Sequence, residues 1–285
     1  MRVEVEPGVR LYFDCEGVGL EPDGPAMREK PVLLLLHGGP GFDHSLFKPW
    51  FSRFADTHQV VYLDHRGQGR SDQRKDSTNW RLDTWADDVA RFCDALEIRK
   101  PVVLGNSFGG MVAIHTAARH PELASMLILS STAPRMLLDD VFEMFQKLGG
   151  DEVRAIAEKF WTAPDEDIRA EYLTHCLPLY TQHSKNLTEG GLRARMNMRV
   201  GDFFILGEQQ TMDLRDDLAT IRVPTLVLAG ELDPVCPPSV QREIVAALDP
   251  SIVRFELFDD CGHGTYRDQA ERTEAVLREF LATER

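Results

Sequence analysis

At 285 residues, with 43% hydrophobic and 27% charged content, the chain is long enough to bury a substantial core and reads as one globular domain, or one domain carrying an insertion. Its 46 acidic residues against 32 basic ones leave a formal charge of -14, with Lys and Arg scattered rather than gathered in a stripe, which argues against nucleic acid and anionic lipid as partners. The first residues lack the apolar stretch of a signal peptide, and the longest apolar run nearby, Val32 to Leu36, is far short of a membrane span, so no membrane association and a cytoplasmic location are expected.

The first strong strand signal is Pro31 to Leu36, a continuous apolar run that ends in Gly-Gly-Pro-Gly and reads as a strand buried on both faces. Gln59 to Asp64 is a second such run, ended by His-Arg-Gly-Gln-Gly. Trp85, Val89, Phe92, Cys93 and Leu96 then recur at helical spacing between Asp83 and Leu96. Pro101 to Gly105 is the next short strand, Phe108 to His120 a helix, and Met126 to Ser130 another buried strand. Strands and helices in alternation imply right-handed crossovers and a mostly parallel sheet flanked by helices.

From about Ser131 to about Asp216 the rhythm changes to charged helical sequence, with apolar stripes such as Val141, Met144, Phe145 and Leu148. Strands resume at Pro224 to Gly230 and Ile252 to Phe258, and Ala270 to Leu281 closes the chain as a helix. The expected organisation is an α/β core of residues 1–130 and 217–285, interrupted by a helical cap at 131–216. Ligands of open parallel sheets bind beyond the carboxyl ends of the strands, so the cap would lie over the site as a lid.

The sharpest chemical signal is Gly105-Asn-Ser107-Phe-Gly109, set between a strand and a helix. That context is what the G-x-S-x-G elbow requires: a nucleophile on a tight turn at a helix N-terminus, where developing negative charge is favoured. A serine there also serves as an ordinary helix N-cap, so the motif needs partners. A serine hydroxyl is a weak nucleophile and needs a base within hydrogen-bond reach and an acid to hold that base in the right tautomer. His263 has the correct chain order, a place after the last strand and flanking glycines. For the acid, Asp233 before Pro234 is chosen over Glu231, Asp259 and Asp260; its alternative role is to cap the helix that begins near Pro237.

His37-Gly-Gly39-Pro-Gly41 follows an earlier strand, where the second oxyanion-hole donor belongs. The N–H groups of Phe108 and Gly39 are the expected pair, with Gly38 as alternative to Gly39 and a plain glycine turn as the bland reading. Asp64 and Arg66, in Asp64-His-Arg-Gly-Gln-Gly-Arg-Ser71, are expected to brace loops by an ion pair rather than to act in chemistry. The five cysteines are odd in number and far apart, without metal-ligand spacing, and read as reduced, packed thiols.

With these motifs in place, and with Val-Pro-Thr-Leu-Val-Leu-Ala-Gly-Glu-Leu-Asp from Val223 to Asp233, the sequence resembles the proline iminopeptidase-like branch of the α/β hydrolases over most of its length. The resemblance implies the α/β-hydrolase fold and an acyl-enzyme mechanism with Ser107, Asp233 and His263, without metal or organic cofactor. It also implies cap carboxylates that grip a substrate ammonium group. In one subgroup a glutamate stands where this chain has Asp202, one methylene shorter, so Asp202 is the candidate substrate-binding residue and a solvated surface acid its alternative. The expected activity is release of small N-terminal residues such as proline from a small-molecule or short-peptide substrate. Carboxylesterase or lactonase action on small hydrophobic substrates is the alternative, and a non-catalytic ligand binder a further one. Trp161 and Phe203 are candidate pocket walls, with core packing expected for both.

Overall fold

The computed structural model describes residues 1–73, 77–183 and 191–283; residues 184–190 of the expected cap thus lie outside the described residues. Ten strands are present among them: β1 (Arg2–Glu6), β2 (Val9–Glu16), β3 (Leu20–Asp23), β4 (Ala26–Glu29), β5 (Val32–Leu36), β6 (Gln59–Leu63), β7 (Val102–Asn106), β8 (Met126–Ser130), β9 (Thr225–Gly230) and β10 (Val253–Phe258). Eight form one sheet in the order β1-β2-β6-β5-β7-β8-β9-β10, and β3 and β4 form a separate hairpin. From β6 to β10 every pairing is parallel, while β2 joins β6 antiparallel and β1 joins β2 antiparallel.

The apolar runs form the inner strands because both faces of the sheet are covered. Side chains alternate across a strand, so Leu34, Leu36, Val103, Leu127 and Val227 enter one core, with helices α1 (Leu82–Ala95) and α2 (Phe108–Arg119). Leu33, Leu35, Val102, Leu104 and Ile128 enter the other, with Phe47, Phe51, Phe54 and the Ala270–Leu281 helix. Each such side chain contributes roughly 1.5–3 kcal/mol by leaving water. The N-terminal strands escape the sequence reading because they lack continuous apolar runs. In β2 only Val9, Leu11 and Phe13 are buried, alternating with exposed or half-buried residues, and β4 is exposed throughout.

Between β8 and β9 the described residues form helices and turns and no strand. α3 (Leu138–Thr162) is broken at Gly150, and α4 (Glu166–His175), Met198–Ile205 and Arg215–Thr220 follow. The Met198–Ile205 helix is seated on the sheet-flanking helices by an aromatic cluster. Phe204 meets Phe108 at 5.1 Å and Trp85 at 5.6 Å, and those two rings meet at 4.9 Å, all edge to face. Such pairs are worth about 0.5–1.5 kcal/mol each beyond area burial. Arg66 pairs with Asp88 and Glu6, and Asp64 with His44, so the expected Asp64–Arg66 pair is replaced by separate braces to α1, β1 and the loop after β5.

Candidate active site

Ser107 is the single residue between β7 and α2, and its backbone turns through φ 53°, ψ -121°. Holding a non-glycine residue there costs about 1–3 kcal/mol, which the surrounding fold must offset. The neighbours allow it by having no side chains. A Cβ on Gly105 would stand 2.3 Å from the Gly109 carbonyl oxygen, and one on Gly109 would stand 2.0 Å from the Leu36 carbonyl oxygen. The turn is fastened by the Ser107 N–H on the Ser130 carbonyl at 2.9 Å and by the Thr132 hydroxyl on the Ser107 carbonyl at 2.7 Å.

The loops after β9 and β10 bring the two other expected residues to this point. His263 Nε2 stands 3.0 Å from Ser107 Oγ, and its Nδ1 is 2.9 Å from each Asp233 carboxylate oxygen. Asp233 is fully buried, and its Oδ1 also accepts the N–H groups of Val235 and Cys236 at 2.9 and 2.8 Å. A carboxylate held in this way can only accept from Nδ1–H, which leaves Nε2 as the acceptor facing the serine. The Pro238–Ala247 helix has Pro237 as its cap and no side-chain cap bond, so Asp233 serves the turn before it. Glu231, Asp259 and Asp260 face outward; Asp259 pairs with Arg272 and Asp260 with His183.

His263 is further held through its backbone: its N–H donates to the Tyr180 carbonyl at 2.7 Å, and its carbonyl accepts from Arg267. The Tyr180 ring stands edge-on to the imidazole at 5.3 Å. Burial raises the Tyr180 phenol above its ordinary range, and its hydroxyl is 2.8 Å from that of Tyr172.

Gly39 and Phe108 line the same cavity as Ser107, and neither N–H donates to another protein group among the described residues. Gly39 adopts φ 58°, and a Cβ there would press to 2.7 Å on the Phe42 ring. Two histidines that the sequence reading passed over set this loop. The His65 N–H donates to His37 Nε2 at 3.3 Å, so the His37 proton sits on Nδ1 and donates to the Gly38 carbonyl at 3.0 Å. The carbonyl of Gly38 and the N–H of Gly39 belong to one planar trans peptide, so fixing the first aims the second the opposite way. Burial pushes the His37 imidazole below its ordinary pKa and that of His65 further down, keeping both neutral. The signal available in the sequence was a histidine at the carboxyl end of two neighbouring strands.

Above Ser107 lies a cavity of about 200 Å³ with mostly hydrocarbon and aromatic walls, among them Phe42, Met111, Phe160, Trp161, Leu177 and Val235. Asp202 is on its wall, as expected of a substrate-binding residue, but its carboxylate is taken: Arg169 Nη1 lies 2.6 Å from Oδ1. Arg169 and Arg267 also line the cavity, so its described charged walls hold two guanidiniums and this one carboxylate besides His263. Trp161 is buried and faces the cavity. Phe203, by contrast, is neither core nor wall of this cavity; it is 41% exposed and edge-on to Trp80, because it is turned about 100° around its helix from the buried Phe204. All five cysteines are free thiols. No helix among the described residues is long and apolar enough to cross a membrane, and no group of three or more His, Cys, Asp or Glu side chains among them is placed to hold a metal ion.

The sheet order, the elbow after β7 and the histidine after β10 agree with a family match: the model of the alpha/beta hydrolase fold covers residues 31–269. The chain belongs to the α/β-hydrolase family. This hydrolase is 30% identical over 271 residues to the proline iminopeptidase of Lactobacillus helveticus (strain DPC 4571), across 89% of this chain and 90% of the relative. Among solved structures it is similar to the proline iminopeptidase of Mycobacterium smegmatis, with TM-score 0.79, 22% identity, and coverage of 100% of this chain and 98% of that one. It is likewise similar to an esterase from Exiguobacterium antarcticum, with TM-score 0.75, 22% identity and 99% of both chains covered. At such identities the structural likenesses speak for the fold, and the choice of substrate is left to the walls of this hydrolase's own cavity.

Proposed function

We propose that this hydrolase cleaves an ester or amide through an acyl-enzyme on Ser107 and that its acyl pocket takes an uncharged, largely apolar group. The single observation that carries the reading is the hydrogen-bonded row Asp233–His263–Ser107 opening onto a hydrocarbon-walled cavity. In the first step Ser107 Oγ bonds to the carbonyl carbon as its proton passes to His263 Nε2, and the oxyanion rests on the N–H groups of Gly39 and Phe108. The C–O or C–N bond then breaks, and the leaving alcohol or amine takes the proton from His263. Water repeats the sequence: it gives a proton to His263, bonds to the acyl carbon, and the acid departs as Ser107 recovers its proton. The described residues of 131–216 act in this reading as a helical cap that supplies acyl-pocket walls such as Phe160, Trp161 and Leu177.

The uncharged acyl group follows from the Arg169–Asp202 pair. A substrate ammonium buried here would have to share or displace a guanidinium already 2.6 Å from the carboxylate, and two arginines on the walls oppose it. A second reading, release of an N-terminal residue with Asp202 binding the free amine, is favoured by the iminopeptidase relative and by the place of Asp202 on the wall. The experiment is kcat/KM for proline p-nitroanilide, its N-acetyl form and p-nitrophenyl butyrate, in wild type and Ser107→Ala. The proposal predicts cleavage of the butyrate and no preference for the free amine, with all activity lost in Ser107→Ala. A preference for the free amine of about 100-fold, some 2.7 kcal/mol, would establish the second reading instead.

A further inference from the structure

Gln209 sits in the short turn Glu208–Gln210 that follows the Met198–Ile205 helix, and it lines the cavity above Ser107 while only 4% exposed. Its two neighbours are committed to the protein. The Glu208 carboxylate accepts the Leu82 N–H at 2.9 Å, and Gln210 Nε2 donates to the carbonyls of Ile205 and Trp161 at 2.7 and 3.3 Å. The Gln209 side-chain amide exchanges no hydrogen bond with any described residue. Neither Gln209 Oε1 nor Nε2 is among the fully buried unpaired atoms, so the amide keeps accessible surface on a residue that lines the cavity, and no described protein group claims it. Its donor and acceptor are therefore open to a molecule bound above Ser107.

Resting on the acyl-enzyme reading above, we infer that Gln209 is a substrate-binding residue that recognises a neutral amide group on the acyl part of the substrate. The side chain offers one carbonyl acceptor and N–H donors in one plane, which is the complement of a secondary amide. It adds no charge to a wall where Asp202 and Arg169 already neutralise each other, so a charged substrate group would find no counter-charge in it. The acyl group that fits is an N-acylated amino acid or a similar amide-bearing chain: hydrocarbon for most of its length, with one hydrogen-bonding group where Gln209 stands.

The test compares p-nitrophenyl N-acetylalaninate with its hydrocarbon isostere, p-nitrophenyl 2,4-dimethylpentanoate, on wild type, Gln209→Leu and Gln209→Met, with thermal unfolding of all three. The expected result is a wild-type preference in kcat/KM of about tenfold for the amide-bearing ester, some 1.4 kcal/mol. Both variants stay folded and lose that preference, their kcat/KM on the amide-bearing ester falling about tenfold relative to the isostere. An equal loss on both esters, or no wild-type preference for the amide, overturns the inference. The parent reading is judged separately by the isostere alone: if Ser107→Ala abolishes its hydrolysis, the acyl-enzyme stands whatever Gln209 does.

Discussion

Replacing Asp233 by asparagine changes one atom of a fully buried side chain, and the hydrogen bonds around it say which way the new group must turn. The N–H groups of Val235 and Cys236 point at Oδ1 from 2.9 and 2.8 Å, so in Asp233→Asn the amide carbonyl stays on those two donors and the NH₂ faces His263 Nδ1. Two hydrogens cannot occupy that line. The imidazole proton moves to Nε2, the nitrogen 3.0 Å from Ser107 Oγ, and the ring can no longer receive the serine proton. The loss of the correct tautomer is worth on the order of 10⁴ in kcat, or about 5 kcal/mol of barrier. The fold should survive, because both backbone donors keep their acceptor. The assay is kcat/KM on p-nitrophenyl butyrate at pH 8 beside thermal unfolding. A folded Asp233→Asn protein that loses less than about tenfold would refute the role given to Asp233.

His37→Ala frees the Gly38 carbonyl and with it the aim of the Gly39 N–H; kcat should fall about 10- to 100-fold with KM within a factor of two or so, below the cost of deleting an oxyanion donor outright. Gly109→Ala places a methyl 2.0 Å from the Leu36 carbonyl oxygen, backbone against backbone, and should cost about 3 kcal/mol or more, read as insoluble expression or a large drop in Tm. His115 lies 2.5 Å from Asp217 and 2.7 Å from Asp83; burial opposes its charge, yet the hydrogen bonds to Asp217 and Asp83 outweigh it and raise the pKa. A raised folded pKa means that the stabilisation is complete below the unfolded value near 6.5 and is lost as pH rises through the folded one. Wild-type stability should therefore decline over that window relative to His115→Gln, by on the order of 1 kcal/mol given the exposure of Asp83, read as a falling Tm; parallel Tm curves for the two proteins would contradict this.

The inner strands and the helices that flank them were legible because a parallel sheet covered on both faces forces continuous apolar runs, as at Leu33 to Leu36 and Leu226 to Ala229. The antiparallel strands β1 to β4 were not, since a half-solvated strand such as β2 needs only Val9, Leu11 and Phe13 inside. Ser107, Asp233 and His263 could be picked out by motif and chain order, because each follows a recognisable strand and the fold brings strand ends to one edge. Asp202 was named for its charge, but its partner Arg169 is 33 residues away on another helix, and no local pattern announces such a pair. Gln209 was illegible for the same reason: burial of a polar side chain is a property of tertiary packing, and nothing in the neighbouring residues marks it. The His37–His65 brace left only a partial sign, a histidine just after each of two strands, without the contact between them.

A serine that becomes covalently acylated is trapped by a phosphonate ester, and Ser107 should react in this way. Intact mass followed by peptide mapping should show one adduct per chain on the peptide containing Ser107, formed in step with loss of butyrate hydrolysis and absent in Ser107→Ala. An adduct on another residue, or full hydrolysis by Ser107→Ala, would rule out Ser107 as the nucleophile.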